Sequence, residues 1–285
     1  MPFVIPYPEI DPVLVTIPFV DLPIRWYALA YLAGLFLGLV LMRRLMARDD
    51  YWPRDRAPLT AEQVEALLTW IVVGVILGGR LGFVFFYQPA YYLEKPSEIL
   101  QVWIGGMSFH GGFLGVVLAL LIFCRVHKAP VVQIGDAMAV VTPQALLLGR
   151  LANFINGELW GRPTDAPWAM VFPGGGPAPR HPSQLYEAAL EGALLFALAW
   201  LLATRFGWLR KPGRMMAVFF IGYGAARSFV ELFREADAQY ITPDNPAGHV
   251  IRFGAEAGLT MGMSLSLPMI AVGLGVWIWS ARRAR

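Results

Sequence analysis

Long apolar stretches recur along this chain, separated by short polar segments. Seven of them approach the ~20 residues that a helix needs to cross a bilayer core. They cover about 26–43, 68–88, 109–125, 133–155, 185–204, 214–233 and 266–281. Glycines and polar residues interrupt the third and fourth. Without water in the hydrocarbon layer, each segment must satisfy its own backbone hydrogen bonds, so helices are the expected spanning element. The pattern predicts an all-α polytopic membrane protein, a single integral membrane domain over 1–285. Two connections, about 156–184 and 234–265, are Gly/Pro-rich and too long for hairpin loops, so they are expected to pack as a small external cap.

Charge placement predicts direction. Arg43, Arg44, Arg48, Arg54 and Arg56 follow the first stretch, and Arg125 and Lys128 follow the third. Arg205, Arg210, Lys211 and Arg214 lie between the fifth and sixth, and Arg282, Arg283 and Arg285 close the sequence. Fourteen of the 23 Lys and Arg thus share one side, which the positive-inside rule makes cytoplasmic. The N-terminus is then periplasmic and the C-terminus cytoplasmic. The first 26 residues lack a basic leader and are broken by prolines, so they are expected to be an extramembrane or interfacial segment, not a cleaved signal.

Composition fits this picture. Hydrophobic residues make up 57% of the 285 and charged ones only 15%. A soluble domain of this size exposes more charge. The net charge of +3 sits in clusters between apolar stretches, which fits orientation signals and not nucleic-acid binding. The single cysteine, Cys124, excludes an intrachain disulfide, and the four histidines have no metal-ligand spacing. No metal or cofactor is expected.

Arg80, Arg150 and Arg227 lie inside the stretches, where a charge costs roughly 2.5–3.5 kcal/mol on insertion scales. Snorkelling or pairing between helices would be the plain explanation of any one of them. In the sixth stretch, however, Tyr223, Arg227, Glu231 and Arg234 fall at i, i+4, i+8 and i+11, one helical stripe. Its excess positive charge suits an anion, and the guanidinium fork suits phosphate. The fourth stretch ends in GRLANFINGELWGRP, with Arg150, Asn153 and Gly157 on one face and Asn156 and Glu158 close by. The third begins MSFHGGFLG, where His110 could move a proton and Gly111 and Gly112 permit close approach of a backbone or a ligand. A helix start there would also offer N–H groups to an anion. By the predicted directions these groups gather in the outer half of the membrane, where a phospholipid headgroup would lie. Arg80 is open to two readings, support of that cavity or structural pairing.

HGGFLG, GRLANFINGELWGR, RHPSQLYE and YGAARSFVELFRE, in that order, resemble the bacterial prolipoprotein diacylglyceryl transferases, and the likeness runs over nearly the full chain. The resemblance implies an inner-membrane enzyme that moves the diacylglyceryl group of phosphatidylglycerol onto the lipobox cysteine of a preprolipoprotein, releasing glycerol phosphate. It implies no cofactor. It carries His110, Arg150 and Arg227 over as catalytic. Tyr27, Asn153, Glu158, Gly161, His181, Tyr223, Glu231 and Arg234 match further family positions and are expected to bind substrate. Met263 stands where the family pattern leads one to expect Gln. Whether His110 is the base for the thiol or positions substrate stays open. A lipid or anion transporter would also want buried arginines, but it needs polar residues towards both faces. A phosphatidyltransferase of the CDP-alcohol type needs an Asp-rich motif, whereas Asp136 stands alone, and no serine or paired-aspartate protease centre is present.

Overall fold

The computed structural model describes residues 4–254 and 257–283. Arg285 of the terminal basic cluster, the first three residues of the N-terminal segment and two positions of the 234–265 connection lie outside them. A hairpin comes first, β1 (Val13–Ile17) antiparallel to β2 (Leu22–Arg25). Helices follow: α1 (Trp26–Met46), α2 (Ala61–Phe86), α3 (Phe109–Val126), α4 (Val131–Ile155), α5 (Ser183–Thr204), α6 (Arg214–Val230) and α7 (Met261–Arg283).

All of these except α6 are long and apolar enough to cross a membrane, so the protein is mostly helical with six candidate spans among the described residues. The sequence pattern gives seven. The difference is α6, whose 17 residues are the fewest of these seven helices and rise roughly 25 Å against a hydrocarbon core about 30 Å thick. It stops at Val230 and passes into a turn over 231–233, with Arg234 N–H donating to the Val230 carbonyl at 3.1 Å. Two other helices start earlier than their apolar blocks. Thr60 and Gln63 form a capping box that begins α2 in polar sequence. Thr260 accepts from Met263 N–H at 3.3 Å and so begins α7.

The chain forms two compact units, Met1–Leu41 with Gly135–Arg285, and Met42–Ile134. Within the second, α2 and α3 approach backbone to backbone. A Cβ on Gly111 would collide with the Gly78 carbonyl and lie 2.8 Å from Gly82 Cα. Within the first, Gln144 of α4 donates to the Gly34 carbonyl of α1 at 2.8 Å. The 156–184 and 234–265 segments are joined at one seam. Gly161 bridges Arg234, Arg162 N–H donates to the Phe233 carbonyl at 2.8 Å, and Arg180 donates to the Glu235 carboxylate at 2.9 Å.

Candidate active site

The stripe on α6 carries an ion-pair ladder. Glu231 Oε1 lies 2.5 Å from Arg227 Nη2 and 3.4 Å from Arg234 Nε, so one carboxylate serves both arginines. Its other oxygen accepts from the Thr260 hydroxyl at 2.5 Å, which ties the stripe to the start of α7. Tyr223, two turns below Glu231, stacks on Phe219 with ring centroids 5.8 Å apart.

Two carboxylates that sequence reasoning passed over complete the cluster. Glu187 and Glu191 of α5 are both fully buried at 0% exposure. Glu187 touches three arginines. Oε1 pairs with Arg227 and, at 3.1 Å, with Arg234, while Oε2 lies 3.3 Å from Arg150 Nη1. Glu191 lies 3.5 Å from Arg150 and 3.9 Å from Arg227. The helix supplying them widens into a π-helical turn over Ala188–Leu194, the kind of local widening that recurs at functional sites. It also lies hard against α4, since a Cβ on Gly192 would stand 2.7 Å from Leu147 Cα. The missing signal was charge balance. Two glutamates one turn apart in an apolar stretch are as costly as the arginines, and each set explains the other.

The cluster is therefore three arginines against three carboxylates, a correction to the positive excess suggested by α6 alone. Its layout still faces an anion. The glutamates lie deepest, with side chains 0–5% exposed, while the side chains of Arg150, Arg227 and Arg234 keep 12–18% open. A negative group reaching the open edge meets arginine first. Arg227, Arg234 and Glu231 also line a cleft with Tyr240, Thr260 and Gly262, about 250 Å³ including its mouth.

Around it lies the end of α4. Tyr7 donates to the Phe154 and Ile155 carbonyls at 2.5 and 3.0 Å and satisfies the helix terminus there. Beyond it, Glu158 accepts from Asn153 at 2.8 Å and Asn156 at 3.2 Å, which holds all three polar residues together. Gln184 and Ser183 of α5 donate to the Glu158 and Leu159 carbonyls. Gly161 is hemmed in by the Phe233 carbonyl and His181, leaving no room for a Cβ. His181 Nδ1 lies 3.0 Å from the Tyr186 hydroxyl, which accepts from Trp168 at 2.6 Å. Burial pushes the pKa of His181 below the usual 6.5, which favours the neutral ring. Tyr27, at the start of α1, hydrogen-bonds Tyr31 at 3.0 Å.

The remaining sequence candidates belong to the other unit. His110 is exposed in the first turn of α3, edge-on to Phe109. Ser108 caps that turn and accepts from Gly111 N–H at 3.1 Å, so this N–H is already used. Gly111 serves the packing against α2, whereas a Cβ on Gly112 would find ordinary contacts only. Arg80, 2% exposed, donates to the carbonyls of Glu98, Ile99, Gly105 and Gly106 at 2.6–3.3 Å and lies over the Tyr92 ring. Its guanidinium is spent on folding the 98–106 loop.

Comparison with known proteins agrees with the motifs. The family model described as prolipoprotein diacylglyceryl transferase matches residues 12–279. A phosphatidylglycerol–prolipoprotein diacylglyceryl transferase of Cereibacter sphaeroides is 51% identical, covering 98% of this chain and 99% of that protein. Proteins of the same name from Roseobacter denitrificans and Methylocella silvestris are each 52% identical, covering 99% of this chain and 98% of their own length. This chain belongs to the prolipoprotein diacylglyceryl transferase family.

Proposed function

We propose that this protein transfers the diacylglyceryl group of phosphatidylglycerol to the lipobox cysteine thiol of preprolipoproteins, the first step of bacterial lipoprotein maturation. Family membership supports the reaction. The observation that carries the site is the convergence of Arg150, Arg227 and Arg234 on Glu187, with the arginine side chains more open than the glutamate.

The thiolate sulfur attacks C3 of the glyceryl group, and an S–C bond forms as the C–O bond to phosphate breaks. The electron pair leaves on the phosphate oxygen, so negative charge grows on a group that becomes glycerol phosphate. Arg150 and Arg227 are assigned to bind and stabilise that charge, already oriented by their carboxylates and paying little reorganisation as it forms. Arg234, Tyr223 and Glu231 shape the same wall. Asn153, Asn156, Glu158, Gly161, His181 and Tyr27 form the polar rim at the end of α4 and the start of α1. A free thiol, with pKa near 8.5, is mostly protonated at neutral pH. His110 is assigned to take its proton, on the family motif and on its exposure, and Gly112 to leave room beside it.

We also assign α6 as a seventh span, short because its outer end opens into the cluster, within one membrane domain. The N-terminus is periplasmic, the C-terminus cytoplasmic and the site in the outer half of the inner membrane, as the basic clusters indicate. The joined 156–184 and 234–265 segments would be its periplasmic cap.

Incubating the reconstituted protein with phosphatidylglycerol and a lipobox peptide tests the reaction. A peptide mass gain equal to one diacylglyceryl group is expected, and none appears when the cysteine is replaced by serine. Release of glycerol phosphate without peptide modification would overturn it.

A further inference from the structure

Asp136 sits in the first turns of α4, fully buried, with no substrate role in the proposed chemistry. Its carboxylate accepts from Gly213 N–H at 2.6 Å through one oxygen and from Met216 N–H at 2.9 Å through the other. These are free donors at the start of α6, whose N-cap is Gly213, a residue with no side chain to cap it. One helix is therefore capped by the side chain of another. The Met216 side chain of α6 also lies against Gly135 of α4 at this level, since a Cβ on Gly135 would run into its sulfur.

The spacing above this contact is equal on both helices. Asp136 precedes Arg150 by fourteen residues on α4, and Gly213 precedes Arg227 by fourteen on α6. Fourteen residues rise roughly 21 Å on each helix. At the upper level Arg150 and Arg227 meet on the shared Glu187 carboxylate. The helices thus run parallel, joined by two rungs at matched heights.

We propose that Asp136 is a register pin, a positioning residue that holds α6 level with α4 so that Arg150 and Arg227 present their guanidiniums to one phosphate. A slip of one residue along α6 would move Arg227 by about 1.5 Å and turn it by about 100°. Displacements of this size at a charge-stabilising group cost on the order of 100-fold in rate.

The idea rests on the transferase reading above, and the test keeps the two apart. Spin labels at Leu151 on α4 and Phe229 on α6, both exposed, are placed in a C124S background in liposomes, and the distance between them is measured. Transfer to a lipobox peptide is measured on the unlabelled protein. Asp136→Ala is expected to shift or broaden the distance and to raise the KM for phosphatidylglycerol or cut the rate on the order of 100-fold. Asp136→Asn keeps one acceptor oxygen but turns its amide NH2 towards the other backbone N–H, so it is expected to broaden the distance and lower the transfer, each less than Asp136→Ala does.

Distance and activity moving together in either variant supports the pin, and Asp136→Asn alone decides if Asp136→Ala does not fold. Lost activity at an unchanged distance would overturn it, since Asp136 would then act through charge or local capping. A changed distance with full activity would overturn it too. Absence of transfer by the unsubstituted protein would sink the transferase reading, while the distances would still test the pin.

Discussion

Arg150 of α4 and Glu187 of α5 meet at 3.3 Å, and the same glutamate also holds Arg227 and Arg234. The pair links the motif at the end of α4 to the motif on α6 through an element on which neither motif lies. It also orders the site in depth, carboxylate behind and guanidinium in front, so a neutral cluster offers a positive face.

Replacing Arg150 with lysine is then not conservative. Two of its nitrogens reach different carboxylates, Glu187 and Glu191, and a lysine ammonium has no planar fork with which to keep both and meet a phosphate. Arg150→Lys is expected to lower transfer by roughly 100-fold or more, and Arg150→Ala to abolish it. Mass spectrometry of the peptide product measures both. Transfer by Arg150→Ala at the unsubstituted rate would remove this residue from the site.

Glu187→Gln separates stability from anion affinity. Losing one partner of a buried ion pair costs roughly 3–5 kcal/mol, so the Tm in detergent should fall. The remaining cluster would carry one more positive charge than before. Glycerol phosphate should therefore inhibit the variant at lower concentration than the parent protein. Weaker inhibition, with the fold intact, would show that Glu187 is needed to shape the arginines and not merely to balance them.

How much of this was legible in the sequence follows from what each residue interacts with. The α6 stripe was legible because its partners lie on the same helix, three and four residues apart, and Glu231 does bridge Arg227 and Arg234. Glu158 with Asn153 and Asn156 was legible for the same reason. Glu187 and Glu191 were not, because their partners are on other helices, although Glu187 closes the RHPSQLYE motif. Arg80 stayed ambiguous because its acceptors are backbone carbonyls of a loop, which leave no trace in residue type. The α6 length was overread by counting Glu231–Phe233, which lie in the turn that aims Arg234.

Arg80 gives a contrast with the cluster. Its loss removes charge-assisted bonds to four carbonyls of the 98–106 loop, each worth about 1.5–3 kcal/mol, so Arg80→Ala should lower the Tm. Inhibition by glycerol phosphate should stay as in the parent protein, provided the protein is kept below its new Tm. A change in that inhibition at an unchanged Tm would instead place Arg80 among the phosphate ligands.

His110→Gln tests the base. Loss of a general base lowers rates typically 10²–10⁴-fold, and the effect should fall on turnover, not on KM for phosphatidylglycerol. Raising the pH, which ionises the peptide thiol without help, should recover part of the loss. Full activity of His110→Gln in reconstituted membranes would leave the thiol to lose its proton elsewhere.

His181 makes a prediction about pH and stability. Burial lowers its pKa in the folded protein, and its Nδ1 lies 3.0 Å from the Tyr186 hydroxyl. A group with a lowered folded pKa contributes stability that is fully present above its unfolded value, here the usual 6.5, and is lost as pH falls through the lowered folded value. The Tm should therefore hold between about pH 8 and 7 and decline as the buffer is acidified below 6.5. Protonation would put a charge on a partly buried ring beside the contacts that His181 makes with Gly161 and Phe233 at the seam. His181→Gln keeps a polar partner for Tyr186 but does not titrate, so its Tm should start lower and vary less over the same range. An acid slope as steep in His181→Gln as in the parent protein would assign the pH dependence to another group.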